Sequence, residues 1–209
     1  MKQDASFYST LAVRERYRDE YWRKRDPIAA DRLLWRAQAF RHIVHLLPGQ
    51  TILELGCGAG LFTHALLRVS RGENPITAVT FQKGAQISSG VGEEVELLAT
   101  SDLPSSLAGR RFDHVVAMDL LDRSCASQLL TTLYALLVPG GEMVFYESNP
   151  WNPVHKLRQV SSAELVSDNL RGFLRPTGST VVCWRPLATK ERSQKCAIHL
   201  AELLACRPS

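Results

Sequence analysis

The spacing of apolar residues changes along the chain, and each change marks an element. In "STLAVRERYRDEYWRKR" (9–25) charges dominate and the aromatics Tyr17, Tyr21 and Trp22 fall at helical spacing, which predicts a charged helix interrupted by Pro27. From Ile28 to Leu47 the apolar set Leu33, Leu34, Ala37, Phe40, Ile43, Val44 and Leu47 recurs every three or four residues, so an amphipathic helix is expected, ended by "PGQ". The period then collapses. "TILEL" (Thr51–Leu55) is a short continuous apolar run, as a strand buried on both faces would be. Helical spacing returns in "LFTHALLRVS", "SQLLTTLYALL" and, weakly, "GAQISSGVGEE". Between them lie four more strand-like runs: "ITAVTF", "VELLAT", "HVVAM" and "EMVFYE", the last preceded by the turn signal "VPGG" at Val138–Gly141.

Five strands alternating with helices predict an α/β domain with a mostly parallel sheet and helices on both faces. Such sheets gather ligands at the carboxyl ends of their strands, where the strand order reverses. Chemistry is therefore expected just after Leu55, Val79, Thr100, Met118 and Tyr146. Beyond Glu147 the pattern weakens. "NPWNP" is a proline-broken loop, "SSAELVSDNLRGF" reads as a capped helix and "STVVCWRPL" as a sixth strand; "KCAIHLAELLACRP" fits a helix or a strand. The organisation expected is one domain over 1–209: a helical lid or cap over 1–47, a ligand-binding core over 48–150, and a substrate-side part over 151–209.

Composition narrows the class. The chain has 209 residues, suited to one domain, and 45% of them are apolar, as in a water-soluble globular protein. The net charge of +4 comes with mixed-sign runs and no interleaved aromatic platform, so no nucleic-acid partner is expected. The cysteines, Cys57, Cys125, Cys183, Cys196 and Cys206, form no C-x-x-C pair, which argues against a metal or disulfide frame and for reduced thiols in the cytoplasm. The opening residues carry no leader-like apolar core, and no 18-residue window reads as a transmembrane span.

The sharpest signal is "LELGCGAG". A strand that runs into glycines and then a helix brings bare backbone close to a ligand, because glycine accepts φ > 0 and has no Cβ. The dinucleotide fingerprint G-x-G-x-x-G would need a glycine at position 61, which is Leu61; here the glycines are Gly56, Gly58 and Gly60, preceded by Glu54. No G-K-[ST] follows, so a phosphate loop is also absent. Cys57 between the glycines has no activating neighbour in the sequence, so its backbone is the expected contact.

"LELGCGAG", "FDHVVAMDLLDR" and "LLVPGGEMVFYESNP" together resemble the class I S-adenosylmethionine-dependent methyltransferases, over residues 40 to 150. The resemblance implies a Rossmann-like methyltransferase fold, here with shortened C-terminal strands, and S-adenosyl-L-methionine as cofactor. It implies that Gly56, Cys57, Gly58 and Gly60 pack against the methionine part, while Glu54 orients the loop or holds the cofactor's ammonium. A strand-end carboxylate capping backbone N–H groups is the other reading of Glu54. Ser101, Asp102 and the backbone of Leu103 would border the adenine, and Asp102 also suits a helix N-cap. Asp119 and Leu120 would touch cofactor and substrate. Arg123 stands where many small-molecule members carry a His, and Arg cannot act as a base. Glu147 and Asp119 are the candidate catalytic acids, and no metal is implied.

One mark departs from the family. Its second strand ends in an acid that holds both ribose hydroxyls; here Thr80, Phe81 and Gln82 occupy that end. Thr80 and Gln82 offer neutral partners, weaker than a carboxylate. Tyr21 and Trp22 of the N-terminal segment and Trp151 of the "NPWNP" loop are candidate substrate contacts, with packing as the alternative. The basic run Arg14, Arg16, Arg18, Arg23, Lys24 and Arg25 reads as mostly solvated. Two functions follow: methyl transfer to the oxygen, nitrogen or carbon of a small molecule, or a repurposed scaffold that binds the cofactor weakly or not at all and acts as a partner protein or in another reaction. "HLAELLA" offers an apolar surface for a homodimer.

Overall fold

The computed structural model describes residues 5–23, 28–82, 94–121, 126–148, 173–174 and 179–184. Its helices are α1 (Ala5–Arg23), α2 (Ile28–Ile43), α3 (Leu61–Ser70), α4 (Leu103–Ser106) and α5 (Ala126–Leu136). Its strands are β1 (Ile52–Leu55), β2 (Ile76–Thr80), β3 (Val95–Ala99), β4 (Phe112–Met118), β5 (Leu137–Ser148), β6 (Phe173–Leu174) and β7 (Ser179–Trp184). They form one sheet in the order β3-β2-β1-β4-β5-β7-β6. The first five are parallel, and β7 pairs antiparallel with both β5 and β6. "STVVCWRPL" thus supplies a strand as expected, but it is β7, and the two-residue β6 begins at the last residue of the stretch expected to be a capped helix. The remainder of that stretch, the weak helix at 84–94 apart from Glu94, the "NPWNP" loop and the "HLAELLA" surface lie outside the described residues.

Strand alternation builds two cores. Leu53 and Leu55, Val115 and Ala117, and Met143 and Phe145 face a layer made by α5 and the first half of α1. Ile52, Val116, Met118, Val144 and Tyr146 face α2, α3 and Trp22. Because both faces are covered, these strands read as continuous apolar runs. The start of β1 is tied to β4 by Asp113, whose Oδ2 accepts from the Thr51 N–H and hydroxyl, both at 2.8 Å. His114 is a packing residue: its Nε2 lies 3.1 Å from Gln50 Oε1, and its ring meets Phe40 edge-on. "VPGG" appears as an irregularity inside β5. Phe112 pairs with Leu137 and His114 with Glu142, so the chain bulges over the interval, with Gly140 at φ 85°. The expected fifth strand therefore starts earlier, at Leu137.

The direction of strand order reverses at β1, which lies between β2 and β4. The loops after these three strands therefore meet at one end of the sheet.

Candidate functional site

The loop after β1 is shaped by its glycines. Gly56, Gly58 and Gly60 have φ of 67°, 54° and 78°, a region that glycine enters freely, and Gly60 is the N-cap of α3. The Cys57 N–H donates to the Val79 carbonyl at 2.8 Å, fastening the loop to β2. The Cys57 thiol is buried and its pKa is pushed up by that burial and then by neighbouring carboxylates, so it is no nucleophile.

Glu54 is buried at the end of β1. Burial raises its carboxyl to about 7, the adjacent Thr63 hydroxyl and then Arg18 lower it, and Glu15 and Asp19 raise it. Its Oε2 has no hydrogen-bond partner. An unpartnered carboxylate oxygen beside a glycine loop is an acceptor suited to an ammonium group.

After β2, Thr80 is fully buried, and its hydroxyl accepts from the Gln82 N–H at 3.2 Å. After β3, Asp102 caps α4: Oδ1 lies 3.5 Å from the Ser105 N–H and Oδ2 accepts from the Ser105 hydroxyl at 2.5 Å. Ser101 beside it is exposed, and Leu103 is buried with its N–H turned toward α1.

After β4, Asp119 adopts φ 51°, donates its N–H to the Tyr146 carbonyl at 2.7 Å, and sits 3.7 Å from Arg36 Nη1. Glu147 lies behind it. Its Oε1 accepts from the Leu120 and Leu121 N–H groups at 2.9 and 2.8 Å, and burial, then the Asp119 charge, raise it to about 8. Both candidate acids are thus engaged in holding the loop after β4.

The N-terminal helix brings what the sequence pattern hid. Tyr8, Leu11, Glu15, Arg18 and Trp22 recur every three or four residues on one face, and all five are buried, as is Asp19. Glu15 Oε1 accepts from the Gly58 N–H at 2.6 Å and Oε2 from the Phe81 N–H at 2.9 Å. Burial raises the Glu15 pKa; the Thr80 hydroxyl, then Arg18, then the two amides lower it. Asp19 Oδ2 accepts from the Ala59 N–H at 2.9 Å. Arg18 pairs with Asp19 at 2.7 Å and donates to the Met118 carbonyl at 3.3 Å. The Tyr8 hydroxyl accepts from the Leu103 N–H at 2.7 Å, while its ring leans on Phe81.

The charged face of α1 is therefore not fully solvated: Arg18 is buried, and Arg14 donates to the Leu121 carbonyl. The available signal was the heptad-like spacing of polar residues with apolar ones. Trp22 packs under Arg36, whose guanidinium lies 4.7 Å from its ring centroid. Tyr21 meets Trp22 edge-on and is 40% exposed. Trp151 lies outside the described residues.

Sheet order, helical layers and the glycine loop at the switch point define the class I S-adenosylmethionine-dependent methyltransferase fold. No protein-family profile matches the chain. The chain is similar to the ubiquinone biosynthesis O-methyltransferase of Pseudomonas paraeruginosa, 25% identical over 146 residues that make up 63% of this chain and 61% of that protein. The chain thus spans about three-fifths of the length of that relative. Among solved structures, it resembles the 1,6-didemethyltoxoflavin-N1-methyltransferase of Burkholderia thailandensis bound to 1,6-didemethyltoxoflavin and S-adenosylhomocysteine, with TM-score 0.54, 20% identity, and coverage of 88% of this chain and 91% of that one. It also resembles the plantazolicin methyltransferase BpumL, in complex with a monoazolic desmethylPZN analog and S-adenosylhomocysteine, with TM-score 0.53, 12% identity, and coverage of 95% and 70%.

Proposed function

We propose that this protein transfers a methyl group from S-adenosyl-L-methionine to a small-molecule acceptor by in-line displacement. The observation that carries the proposal is the glycine loop: three left-handed glycines at the end of β1, with the partnerless Glu54 oxygen beside them. The backbone amides of Gly58, Ala59, Phe81 and Leu103 are turned toward the same end of the sheet. This donor set and acceptor fit the cofactor. Gly56, Gly58, Gly60 and the Cys57 backbone would hold its methionine part, Glu54 its ammonium, Thr80, Phe81 and Gln82 its ribose, and Ser101, Asp102 and Leu103 its adenine.

The cofactor supplies an electrophilic methyl that needs no further activation. The chain's own contribution is then positioning, which accounts for a large part of the rate in such reactions. Glu147, its pKa raised by burial to about 8, fixes the loop that carries Asp119 and Leu120, and among the described residues of that loop Asp119 is the acid offered to an acceptor. Similarity to the ubiquinone-pathway O-methyltransferases supports an oxygen acceptor. Similarity to the 1,6-didemethyltoxoflavin-N1-methyltransferase supports a small-molecule acceptor.

Calorimetric titration with S-adenosylmethionine and S-adenosylhomocysteine tests this reading. A Kd in the micromolar range is expected, and Thr80→Asp, which restores a charged double acceptor, should tighten it about tenfold. No heat at millimolar ligand, either from the wild-type chain or after removal of the α1 carboxylates considered below, would overturn it and leave the repurposed scaffold.

A further inference from the structure

We infer that α1 is a built-in competitor of the cofactor: its polar face occupies the cradle, and the helix must leave before the cofactor can bind. The inference rests on the reading above. Its ground is that three α1 side chains already occupy the four backbone donors that would hold the ligand.

Four backbone donors line the cradle, and α1 supplies an acceptor to each. Gly58 and Phe81 donate to the two oxygens of Glu15, Ala59 to Asp19 and Leu103 to the Tyr8 hydroxyl. The phenol ring leans on Phe81, whose ring centroid is 5.9 Å away, beside the donor expected for a purine. The cation is imitated too. Arg18 donates to the Met118 carbonyl and acts electrostatically on Glu54, the acceptor expected for an ammonium. Ring, acceptors and cation thus lie along one helix, facing groups that would hold a nucleoside amino acid.

The occupancy is steric as well as chemical. A Cβ placed on Gly58 would lie 2.6 Å from the Asp19 carboxyl carbon, and one on Gly56 would lie 3.4 Å from Arg18 Nη1. At Gly58 the space that a side chain would take is filled by α1, whereas at Gly56 the nearest atom is a Leu120 methyl at 3.0 Å. A ligand and these side chains cannot share the four amides, because each N–H makes one strong hydrogen bond. Binding of α1 lowers the apparent cofactor affinity by the fraction of chains in which the helix is displaced. The polar contacts with the four amides would be replaced in kind by a polar ligand, while displacement of the helix also gives up the burial of Phe7, Tyr8, Leu11 and Trp22.

Two measurements on the full chain test the inference. Hydrogen exchange of the wild-type protein, with and without S-adenosylhomocysteine, should show faster exchange over α1 when the ligand is bound. The Glu15→Ala/Asp19→Ala double variant should bind S-adenosylhomocysteine at least about tenfold tighter than wild type, since charge-assisted contacts that hold α1 down are gone. Thr80→Asp does not discriminate, because a new acid beside Glu15 also repels α1.

Slower exchange over α1 on binding, or weaker binding by the double variant, would mean that the helix clasps the cofactor with Glu15 as a ligand. That overturns the competitor and leaves methyl transfer standing. No binding by either chain, with exchange at Gly58, Ala59, Phe81 and Leu103 accelerated in the variant, would overturn methyl transfer and the competitor with it. If the double variant does not fold, the exchange measurement on wild type decides alone.

Discussion

Gly58 concentrates the demands on the loop in one residue. Its φ of 54° is costly for any side chain with a Cβ, and the added methyl would run into the Asp19 carboxylate. Gly58→Ala is therefore expected to cost about 1–2 kcal/mol in backbone strain alone and also to push Asp19 off the Ala59 amide. Chemical denaturation should show the loss of stability, and hydrogen exchange should show α1 opening. A variant that melts with wild type and keeps α1 protected would contradict both the strain and the contact. Thr80 teaches a related lesson. The missing acid at the end of β2 is plain in the sequence, but Glu15 bringing a carboxylate to the same place from 65 residues away is not. A period of 3.6 reports which side chains share a face; it does not report which backbone amides wait opposite that face.

At the scale of elements, the strands were legible because parallel strands covered on both faces are continuous apolar runs, and α3 because Gly60 caps it. The charged helix was legible as a helix, yet its burial was not, since Glu15, Arg18 and Asp19 find their partners on the loops after β1 and β2 and at the end of β4. The turn at "VPGG" was legible as chemistry but not as topology: the bulge stays inside β5, which runs on from Leu137. Its two glycines have different reasons. Gly140 needs φ 85° and has open space around it, whereas Gly141 packs against backbone, where a Cβ would lie 2.7 Å from the Asp113 carbonyl oxygen and 3.1 Å from that of Val138. Backbone cannot swing aside as a side chain can. Gly141→Ala should therefore destabilise by about 1–3 kcal/mol, more than Gly140→Ala, whose cost is the conformational strain near 1 kcal/mol. Paired urea denaturation of the two variants checks the order; equal midpoints would mean that the β4–β5 contact yields easily.

Four buried acids, Glu15, Asp19, Glu54 and Glu147, lie at the ligand end of the sheet, and those whose pKa is raised set a pH dependence for the fold. Burial raises Glu15, Glu54 to about 7 and Glu147 to about 8, from an ordinary value of 4.5. A folded-state pKa above the unfolded one means that the folded chain binds the proton more tightly. The stability from these groups is present in full below pH 4.5 and is lost as pH rises through 7 and then 8. His114 works in the opposite sense: burial lowers its pKa below 6.5, so its contribution is present above 6.5 and lost as pH falls. Above about pH 7.5 His114 is mostly neutral in both states, and across pH 6.5 to 8.5 Glu147 contributes most of the fall, with Glu54 adding to it. The expected fall in stability is on the order of 2 kcal/mol, or roughly 5 °C in Tm for a chain of this size. Glu147→Gln keeps an oxygen to accept from Leu120 and Leu121 while removing the charge, so it should flatten the Tm profile over this window and raise Tm at pH 8.5. Calorimetric melts of both chains across the range check this; profiles that fall in parallel would show that Glu147 is already ionised at pH 6.5, held so by its two backbone donors.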